Sequence, residues 1–486
     1  MRNRSTVRTA LALGLAFGAM LACKGREPTS AAAANAADQR LARAWRFEQN
    51  GWIYVHLEGS PSEIGFQHGS LLSAEIADAF EAVKLSATHT TKKPWAFFRD
   101  ASHSMLWPKM DPEYQEEIRG IVEGLASKSV RLDVEDVVAL NAFEELPDYY
   151  VPWYNAQHRI PGPSITSPGN CSAFVATGSY TKDGTIVIAH NNWTSYLTGE
   201  RWRIVFDLVP AKGHRILMDG FPGVITSDDD FGVNDSGLMV TETTITQFAG
   251  WDPNGKPEFE RSRKALQYAD SIDEYVRIMR AGNNGGYAND WLLGDRKTGE
   301  IAQFEQGLRH DRLWRTKDGV FVGSNFASDP QVLAEDTHFD SKDRSSSPNA
   351  RHDRWEALMK DNKGTIDVET AKTLLADHWD AFDKKPGPNE RSLCGHTDVS
   401  PRGVKDWEWE PFHPGGAVQG KAMDSAMAGA MRFVARMGHP CGEDFLAQPF
   451  LQKHPEFAWQ APKLTDMKAG AWTTFRSGQR GPESPK

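Results

Sequence analysis

The sequence predicts an α+β protein in which two packed, mostly antiparallel β-sheets are covered by helices. Strand-like apolar runs concentrate in the middle of the chain, and helical patterns precede, separate and follow them. Two of these runs are joined by a turn containing Asp-Gly, which is typical of an antiparallel hairpin. Hydrophobic residues make up 40% of the 486 residues, which is sufficient for a large core. No internal repeat is visible.

The net charge excludes one class of partner. It is −10 at pH 7, whereas binding to nucleic acid requires a basic face that neutralises phosphates. The same balance gives no electrostatic attraction to anionic membranes. We therefore expect a small-molecule or lipid substrate, and the oligomeric state is left open.

Residues 1–22 have the pattern of a secretory signal peptide, with three arginines, a short apolar run and small residues at its end. The run is too short to favour a membrane span. Leu21-Ala22-Cys23 resembles a bacterial lipobox, in which Cys23 is lipidated and becomes the mature N-terminus. We therefore expect export to the bacterial cell envelope, with a lipid anchor at Cys23 as the only link to a membrane. Export with simple cleavage near this position remains the alternative.

The next two segments are predicted to be a flexible tether, residues 23–44, and a helical N-terminal part, residues 45–170. The tether is rich in alanine and polar residues and has no apolar periodicity. Residues 51–57 alternate as in a strand, and a helical stripe begins at Pro61 or Ser62. His68 lies on this stripe and is expected to be a core or capping histidine rather than a functional one. Two more helices are predicted at 114–127 and 134–144.

Residues 146–169 are predicted to form a loop because prolines and glycines interrupt the pattern. Four aromatic residues cluster there, and two interpretations are open for them: the lining of an acyl-chain pocket or ordinary loop packing.

Residues 171–486 are predicted to form the catalytic part, integrated with the preceding part into one domain. The predicted strands are 203–209, 215–220, 237–245, 300–306 and 319–324. The predicted helices are 263–280, 352–359, 368–377 and 422–435.

The candidate site lies in the hairpin of residues 169–194, GNCSAFVATGSYTKDGTIVIAHNNWT. Cys171 opens the first strand, and the second strand ends in His190, Asn191, Asn192 and Trp193. Because a tight hairpin brings these two ends together, we expect the polar cluster to lie near Cys171.

Cysteine at this position can serve as a self-activated nucleophile. Cleavage of the Asn170–Cys171 bond gives Cys171 a free α-amine with a pKa of about 7.7–8.0, which can accept the thiol proton near neutral pH. The Cys171 sulfur can itself break that bond by attacking the Asn170 carbonyl. The alternative from local sequence alone is a buried structural cysteine at a strand start.

Four ordered blocks resemble the phospholipase B-like family of N-terminal nucleophile hydrolases. They are the hairpin, FPGVITSDDDFGVNDSGLMVTETTI (221–245), NNGGYANDWLLGD (283–295) and SLCGHTDVSP (392–401). This resemblance implies the αββα sandwich of such hydrolases, with Cys171 as nucleophile. His68 and the glycines around it are also similar to a pattern of the broader autoproteolytic acyltransferase/hydrolase group.

The resemblance also implies roles for other residues. His190 hydrogen-bonds near the site, Trp193 walls it, and Asn191 belongs to the same substrate-binding block. Thr243 hydrogen-bonds the Cys171 amine, and Asn289 donates to the oxyanion. His396 is a departure, because the family pattern has an arginine there, so the way the substrate's acyl end is held is left open.

The remaining cysteines are predicted to pair. With Cys23 assigned to lipidation, Cys394 and Cys441 are free to form a disulfide in an oxidising compartment, which leaves Cys171 as a thiol. No cofactor and no metal site are predicted, because HExxH, CxxC and calcium-loop patterns are missing from the sequence. Asp228, Asp229 and Asp230 are interpreted as a solvated turn.

The sequence thus predicts an exported, self-cleaving cysteine hydrolase that forms a thioester at Cys171. By resemblance the substrate is an acyl ester of a phospholipid or lysophospholipid. An N-acyl amide hydrolase or an acyltransferase with the same residues is one alternative, and a non-catalytic envelope binding protein is another.

Overall fold

Two stacked sheets with helices on their outer faces form the protein. The computed structural model describes residues 39–161 and 171–482. Within them the strands are β1 (Trp45–Gln49), β2 (Trp52–Gly59), β3 (Cys171–Thr177), β4 (Val187–Ser195), β5 (Ile204–Pro210), β6 (Ile216–Gly220), β7 (Gly232–Asn234), β8 (Leu238–Thr244), β9 (Asn289–Asp295), β10 (Glu300–Gln306), β11 (Asp311–Thr316), β12 (Gly319–Gly323), β13 (Trp379–Asp380), β14 (Lys385–Pro386), β15 (Gly415–Asp424), β16 (Arg432–Met437) and β17 (Thr473–Arg476). The first sheet has the order β1-β2-β5-β6-β7-β8-β9-β10-β11, and the second has the order β12-β3-β4-β15-β16-β17. Every pairing in these two sheets is antiparallel except that of β2 with β5.

The helices complete the sandwich. In the described part of the chain the α-helices are α1 (Pro61–Leu71), α2 (Ser73–Thr91), α3 (Trp95–Ala101), α4 (Pro112–Ser127), α5 (Val134–Asn141), α6 (Val151–His158), α7 (Tyr196–Gly199), α8 (Glu258–Tyr268), α9 (Ile272–Arg280), α10 (Ser347–Asp361), α11 (Val368–Leu375), α12 (Ser425–Gly429) and α13 (Ala447–Lys453). None of the helices in this part combines the length and the hydropathy needed to cross a lipid bilayer. The predicted α+β sandwich is confirmed.

The largest hydrophobic cluster lies between the first sheet and the N-terminal helices. It joins residues of α1, α2, α4 and α5 to residues of β2, β5 and β6. A second cluster contains Tyr54, Val205 and Met239 of the first sheet and Ala173, Val175 and Ile188 of the second. It also reaches Trp355 of α10 and Leu374 of α11. These clusters stabilise the layers by removing apolar surface from water.

Helices α1 and α4 cross at very short range because glycines line their contact. A Cβ atom at Gly65 would lie 1.9 Å from the Glu117 carbonyl oxygen, and one at Gly69 would lie 2.1 Å from that of Ile121. From the other helix, a Cβ at Gly120 would lie 2.5 Å from the Ser62 carbonyl oxygen. His68, on the same helix, is 1% exposed, and its Nε2 accepts a hydrogen bond from the Gly223 backbone at 3.0 Å. It is therefore a core histidine, as expected.

Three local predictions are wrong. The first part of the segment 146–169 is helical, with a π-helix at Leu146–Tyr150 followed by α6. Pro147 and Pro152 each lie in a first helical turn, where a backbone N–H is not needed. The region 422–435 is not one helix: β15 and β16 enclose only the short α12, because pairing with neighbouring strands overrides the helix preference of its alanines.

The third concerns the acidic run Asp228–Asp230, which is buried rather than solvated. Lys421 forms an ion pair with Asp229, and the Trp291 indole donates to Asp230 at 2.7 Å. These partners come from distant parts of the chain, so the run itself does not show that it is buried.

Candidate active site

Cys171 is the first residue of β3, and the hairpin places the end of β4 beside it. Cys171 lies opposite Asn192, and Ala173 lies opposite His190. The predicted convergence of this hairpin is confirmed. The Cys171 side chain is only 1% exposed, so its thiol is almost completely shielded from solvent.

The backbone of Cys171 is held on both sides. Its nitrogen donates to the Asn325 Oδ1 at 3.0 Å, and its carbonyl oxygen accepts from the Arg351 Nη1 at 2.5 Å. Arg351 also donates to the Ser172 hydroxyl at 2.9 Å and to the same Asn325 oxygen at 2.8 Å. Asn325 has a φ of 75°, a conformation that asparagine adopts more readily than most residues. These bonds fix the backbone on both sides of the Cys171 side chain.

The thiol faces a carboxyl group. Cys171 Sγ lies 3.5 Å from the Glu242 Oε1, and the Tyr287 hydroxyl donates to the same oxygen at 3.2 Å. Burial, followed by the charge of Glu242, raises the pKa of the Cys171 thiol well above its usual range, and a hydrogen bond from the Trp193 backbone opposes the rise. Burial, followed by the charge of Asp230, raises the pKa of Glu242 well above 4.5. The buried thiol and the buried carboxyl therefore each tend to keep their proton.

His190 provides a neutral imidazole beside this pair. One of its ring nitrogens, Cys171 Sγ and a Glu242 oxygen lie within 4.8 Å of one another. Burial, with a smaller effect of Lys421, lowers the pKa of His190 to about 3. Its Nδ1 is 3.8 Å from the Asp229 Oδ2, and neither ring nitrogen has a hydrogen-bond partner among the described residues. The imidazole is therefore neutral near pH 7, where it is only a weak base.

Asp219, Asp229 and Lys421 form a triad of buried charges next to His190. Burial alone would raise the pKa of Asp229, but the Lys421 ammonium holds it below the usual range. Lys421 is fully buried and also binds Asp219 at 2.6 Å. The charges of this triad lie directly behind the imidazole, so they influence any positive charge that His190 acquires.

The predicted oxyanion donor is buried and unpaired. Asn289 begins β9 and is fully buried, and neither of its amide atoms has a hydrogen-bond partner within the described residues. The Asn192 Nδ2 and the Thr243 hydroxyl are likewise unpaired. Asn192 lies opposite Cys171, Thr243 follows Glu242, and Asn289 lies opposite Thr244. Because buried polar groups are normally satisfied, these unpaired atoms favour a functional site.

The contact predicted for Thr243 is with a free Cys171 amine, which exists only after cleavage. In the uncleaved chain the Cys171 nitrogen donates to Asn325 instead. A Cβ atom at Gly323 would lie 2.4 Å from the Thr243 hydroxyl, and Gly323 pairs with Ala173. Thr243 therefore lies beside β3, and its interaction with a free amine remains a prediction.

Two residues predicted to contact substrate lie on the wrong face of the sheet. Side chains alternate along a strand, so Asn191 and Trp193 face away from Cys171 and Asn192. The Asn191 Nδ2 donates to the carbonyl oxygens of Leu375 and Leu393, and the Trp193 indole donates to that of Leu393 at 3.1 Å. Only the Trp193 backbone approaches the thiol. Asn191 and Trp193 therefore bind the backbone packed on the other face of the sheet and are not placed to contact a substrate at the thiol.

His396 and the predicted disulfide also differ from expectation. Cys394 and Cys441 are close in space but both are free thiols. Hydrogen bonding from Cys394 lowers the pKa of the Cys441 thiol. His396 lies 3.5 Å from the Cys394 sulfur, is 3% exposed and belongs to this second cluster rather than to the group around Cys171. The structure therefore does not place His396 where an acyl substrate would meet the thiol.

Two predicted positions lie outside the described residues: Asn170, the predicted cleavage residue, and Cys23, the predicted lipidation site. Their roles remain predictions.

A cavity of about 700 Å³ opens along the end of β4. Thr194 lines it and shares a face of β4 with Asn192. Its walls are largely apolar and include Val83, Phe143, Val151, Trp409, Phe457 and Trp459. Glu144 also lines it, and burial raises the pKa of this carboxyl to about 7. The volume is within the range typical of small-molecule sites.

The aromatic residues of the segment 146–158 favour ordinary packing. Tyr150 stacks on Trp153 and Phe97, and Tyr154 packs edge-on against Phe97. The cavity is lined instead by their neighbours, including Pro147, Val151 and Asn155.

The sequence alone did not reveal several residues of this site. Glu242 lies directly before Thr243 in the block 221–245 that resembles the family, so its place in that block is the one signal in the sequence that could have identified it. Asn325, Arg351, Asp229 and Lys421 reach the site only through the packing of distant elements.

Comparisons with known proteins point to one family. The Phospholipase B family profile matches residues 86–322, which include the whole hairpin and Glu242. The putative phospholipase B-like 2 of Bos taurus is 32% identical over 346 residues, with 62% of this chain and 56% of that protein covered. These matches support membership of the phospholipase B-like family. The putative phospholipase B-like 3 of Caenorhabditis elegans is 26% identical over 343 residues, covering 62% and 56%.

An uncharacterized protein of Archaeoglobus fulgidus is 24% identical over 365 residues, with 67% of this chain and 58% of that protein covered. The matched region of this phospholipase B-like chain thus spans little more than half the length of these relatives.

Proposed function

We propose that this phospholipase B-like protein is a self-activating cysteine hydrolase that acts on acyl ester bonds of phospholipids or lysophospholipids. Family membership supports a hydrolase. The observation that carries the proposal is the arrangement at Cys171: its backbone is fixed by Asn325 and Arg351, and its sulfur lies within 4.8 Å of a neutral imidazole and a carboxyl group. A buried structural cysteine does not require such an environment.

Activation is proposed to begin with attack by the thiol on the preceding peptide. Glu242, whose raised pKa makes its carboxylate a stronger base than usual, takes the thiol proton. The sulfur adds to the Asn170 carbonyl carbon, the Asn170–Cys171 carbon–nitrogen bond breaks, and the departing nitrogen receives a proton. Water then hydrolyses the resulting thioester, which releases the Asn170 carboxylate and leaves Cys171 with a thiol and a free α-amine.

Turnover is proposed to use the new amine. With an ordinary pKa of about 7.7–8.0 it accepts the thiol proton near neutral pH. The thiolate attacks the acyl carbonyl, the alcohol leaves with that proton, and water releases the fatty acid from the thioester. Asn325, which binds the Cys171 nitrogen in the uncleaved chain, is suited to orient this amine. The unpaired amides of Asn289 and Asn192 are suited to donate to the oxyanion.

The cavity beside β4 supports an acyl chain as the recognised group. Its apolar walls provide a favourable environment for methylene groups. Lys92 and Lys93 also line the cavity and supply positive charge suited to a phosphate.

A comparison of substrates tests this function. Wild type and Cys171→Ala are incubated with a lysophospholipid and with an N-acyl amino acid of the same chain length, and fatty acid release is measured. We expect wild type to release fatty acid faster from the ester and Cys171→Ala to release none. Faster release from the amide would assign the protein to the amide hydrolases. Equal activity of wild type and Cys171→Ala would overturn the mechanism.

We also propose export with lipid attachment at Cys23, on the basis of the leader pattern in the sequence. Fractionation of cells that express wild type or Cys23→Ser tests it. Membrane-bound wild type and soluble exported Cys23→Ser are expected, whereas an identical distribution would contradict lipidation.

A further inference from the structure

Four potential metal ligands converge outside the site described above. They are His378, Cys394, His396 and Cys441, and one ligand atom of each lies within 4.8 Å of those of the other three. His378 follows α11, Cys394 and His396 lie in the segment before β15, and Cys441 follows β16. The Cys394 backbone donates to the Asp377 carbonyl at 3.0 Å, which fixes the first two segments against each other.

The three distances measured from the His396 Nε2 match those of a tetrahedral site. The His396 Nε2 lies 3.2 Å from the His378 Nε2, 3.5 Å from the Cys394 Sγ and 3.6 Å from the Cys441 Sγ. A tetrahedral Zn²⁺ with ordinary bond lengths separates two nitrogens by about 3.3 Å and a nitrogen from a sulfur by about 3.6 Å. The other three ligand atoms thus lie at the distances from His396 that a Cys₂His₂ centre requires, and all four lie within 4.8 Å of one another.

Hydrogen bonding does not account for this arrangement. The His396 Nε2 carries either one proton or one lone pair, so it can make only one good hydrogen bond. Three ligand atoms nevertheless approach it at hydrogen-bond or near-hydrogen-bond distance. A cation at the centre of the four side chains would satisfy all of them at once.

We propose that His378, Cys394, His396 and Cys441 form a structural zinc site. Two thiolates and two imidazoles are a donor set typical of structural Zn²⁺, and four protein ligands leave no position for a substrate. The two thiolates balance the charge of the ion. Both cysteines and both histidines are thereby used, including the histidine that departs from the family pattern.

The surroundings of His396 resemble the outer shell of a metal centre. Its ring stacks on that of His439 at 4.0 Å, and Asp398 lies close enough to share a potential ligand set with both histidines. The Tyr196 hydroxyl donates to the Asp398 Oδ1 at 2.9 Å and lies 3.2 Å from the His439 Nε2. Such partners fix the orientation of a ligating imidazole.

The proposed ion would stabilise the outer wall of the active-site strand. Leu393, directly before Cys394, accepts hydrogen bonds from Asn191 and Trp193 of β4. A Cβ atom at Gly395, between the two ligands, would lie 2.0 Å from the Trp193 ring. A metal that fixes Cys394 and His396 therefore also fixes the backbone against which β4 packs.

The main competing arrangement is a disulfide between Cys394 and Cys441. It requires a sulfur–sulfur bond of about 2.05 Å, which excludes both sulfurs from ligation. The two arrangements differ by measurable properties, because a disulfide lowers the intact mass by two hydrogens and removes both free thiols.

The test uses the full chain and the metals alone. Wild type purified under reducing conditions is incubated with Zn²⁺, freed of excess and analysed for zinc. A second sample receives Co²⁺, whose visible absorption distinguishes tetrahedral thiolate ligation from an octahedral site. We expect one Zn²⁺ per chain and the intense tetrahedral Co²⁺ spectrum with sulfur-to-metal charge transfer, and we expect Cys441→Ser and His378→Asn to lose both.

Cys171→Ala is the matched control, since it removes a buried cysteine of another potential ligand group, that of Cys171, His190 and Glu242. It should retain one Zn²⁺ per chain. Loss of zinc in this control alone would move the metal to the active site and overturn the proposal.

Thermal unfolding of wild type with Zn²⁺ and with a chelator keeps the test decisive if the variants fail to fold. The unfolding temperature should be higher with Zn²⁺, because an ion bound only by the folded state stabilises it. No binding of Zn²⁺ or Co²⁺ by the reduced wild-type chain would overturn the proposal. A second result would also overturn it. In that result the protein purified without reductant contains a Cys394–Cys441 disulfide, and its unfolding temperature does not change when the disulfide is reduced and Zn²⁺ is added.

Discussion

The side-chain oxygen of Asn325 lies 3.0 Å from the backbone nitrogen of Cys171 and 2.8 Å from the Arg351 Nη2. One amide oxygen therefore joins the peptide that is proposed to break to a fully buried guanidinium. The Asn325 Nδ2 donates in turn to the Thr244 carbonyl at 2.9 Å, so the group is fixed from the neighbouring sheet.

Asn325→Ala is expected to slow the appearance of the fragment that begins at Cys171 and to lower the free energy of unfolding by about 1–3 kcal/mol, because two buried donors lose their acceptor. Asn325→Asp should retain part of the processing rate, since it keeps the acceptor and tolerates the positive φ. Time courses by denaturing electrophoresis measure this, with the exposed Asn254→Ala as control. Equal rates in all three variants would contradict a role for Asn325.

Glu242→Gln is expected to block processing, because glutamine keeps the shape of the side chain but cannot take the thiol proton. In wild type, burial raises the pKa of Glu242 well above 4.5, so the carboxyl is protonated at acidic pH and processing should accelerate as the pH rises. The rate is measured between pH 5 and pH 9, with Glu369→Gln, at a largely exposed side chain, as control. Normal processing by Glu242→Gln would show that another group is the base.

Gly120→Ala is expected to destabilise the fold by about 1–3 kcal/mol, although alanine is the better helix former. Its Cβ would lie 2.5 Å from the Ser62 carbonyl oxygen, so α1 and α4 must move apart. Urea unfolding measures the change. Gly481→Ala, where a Cβ meets nothing within 4 Å, should be close to neutral, and an equally neutral Gly120→Ala would show that the helix crossing yields readily.

His68 should make the protein sensitive to acid. Burial, with a smaller effect of Arg263, lowers its pKa to about 3, whereas in the unfolded chain it is about 6.5. The unfolded state therefore binds a proton first. The contribution of neutral His68 to the free energy of unfolding is complete above pH 6.5 and is lost as the pH falls toward 3. The loss amounts to about 2 kcal/mol at pH 5.

Unfolding of wild type and His68→Gln at pH 7.5 and pH 5.0 measures this contribution. The stability lost between these pH values should be smaller in His68→Gln, which does not titrate, and unchanged in the exposed control His103→Gln. Identical losses in wild type and His68→Gln would refute the assignment.

Local pattern was sufficient for the fold class and for the position of the thiol. The alternation of β3 and β4 and the Asp-Gly turn predicted that His190 and Cys171 lie together, and they do. The same alternation, applied residue by residue, shows that Asn191 and Trp193 face outward. Local pattern could not predict which side chains from distant segments contact each other in the fold.

The acidic run 228–230 by itself resembles a surface turn, but it is buried and Lys421 forms an ion pair with its Asp229. Arg351 and Asn325 reach Cys171 only when α10 and the end of β12 pack against β3. The four His and Cys side chains of the second cluster come from three separate segments and follow no compact ligand spacing.

The most direct measurement is N-terminal sequencing of the fragments of purified wild type and Cys171→Ala after denaturing electrophoresis, with fatty acid release assayed on the same samples. The account predicts two fragments and activity in wild type, the second fragment beginning Cys-Ser-Ala-Phe, and one intact, inactive chain in Cys171→Ala. An uncleaved wild type that hydrolyses the ester, or a Cys171→Ala chain cleaved at the same bond, would contradict Cys171 as an N-terminal nucleophile.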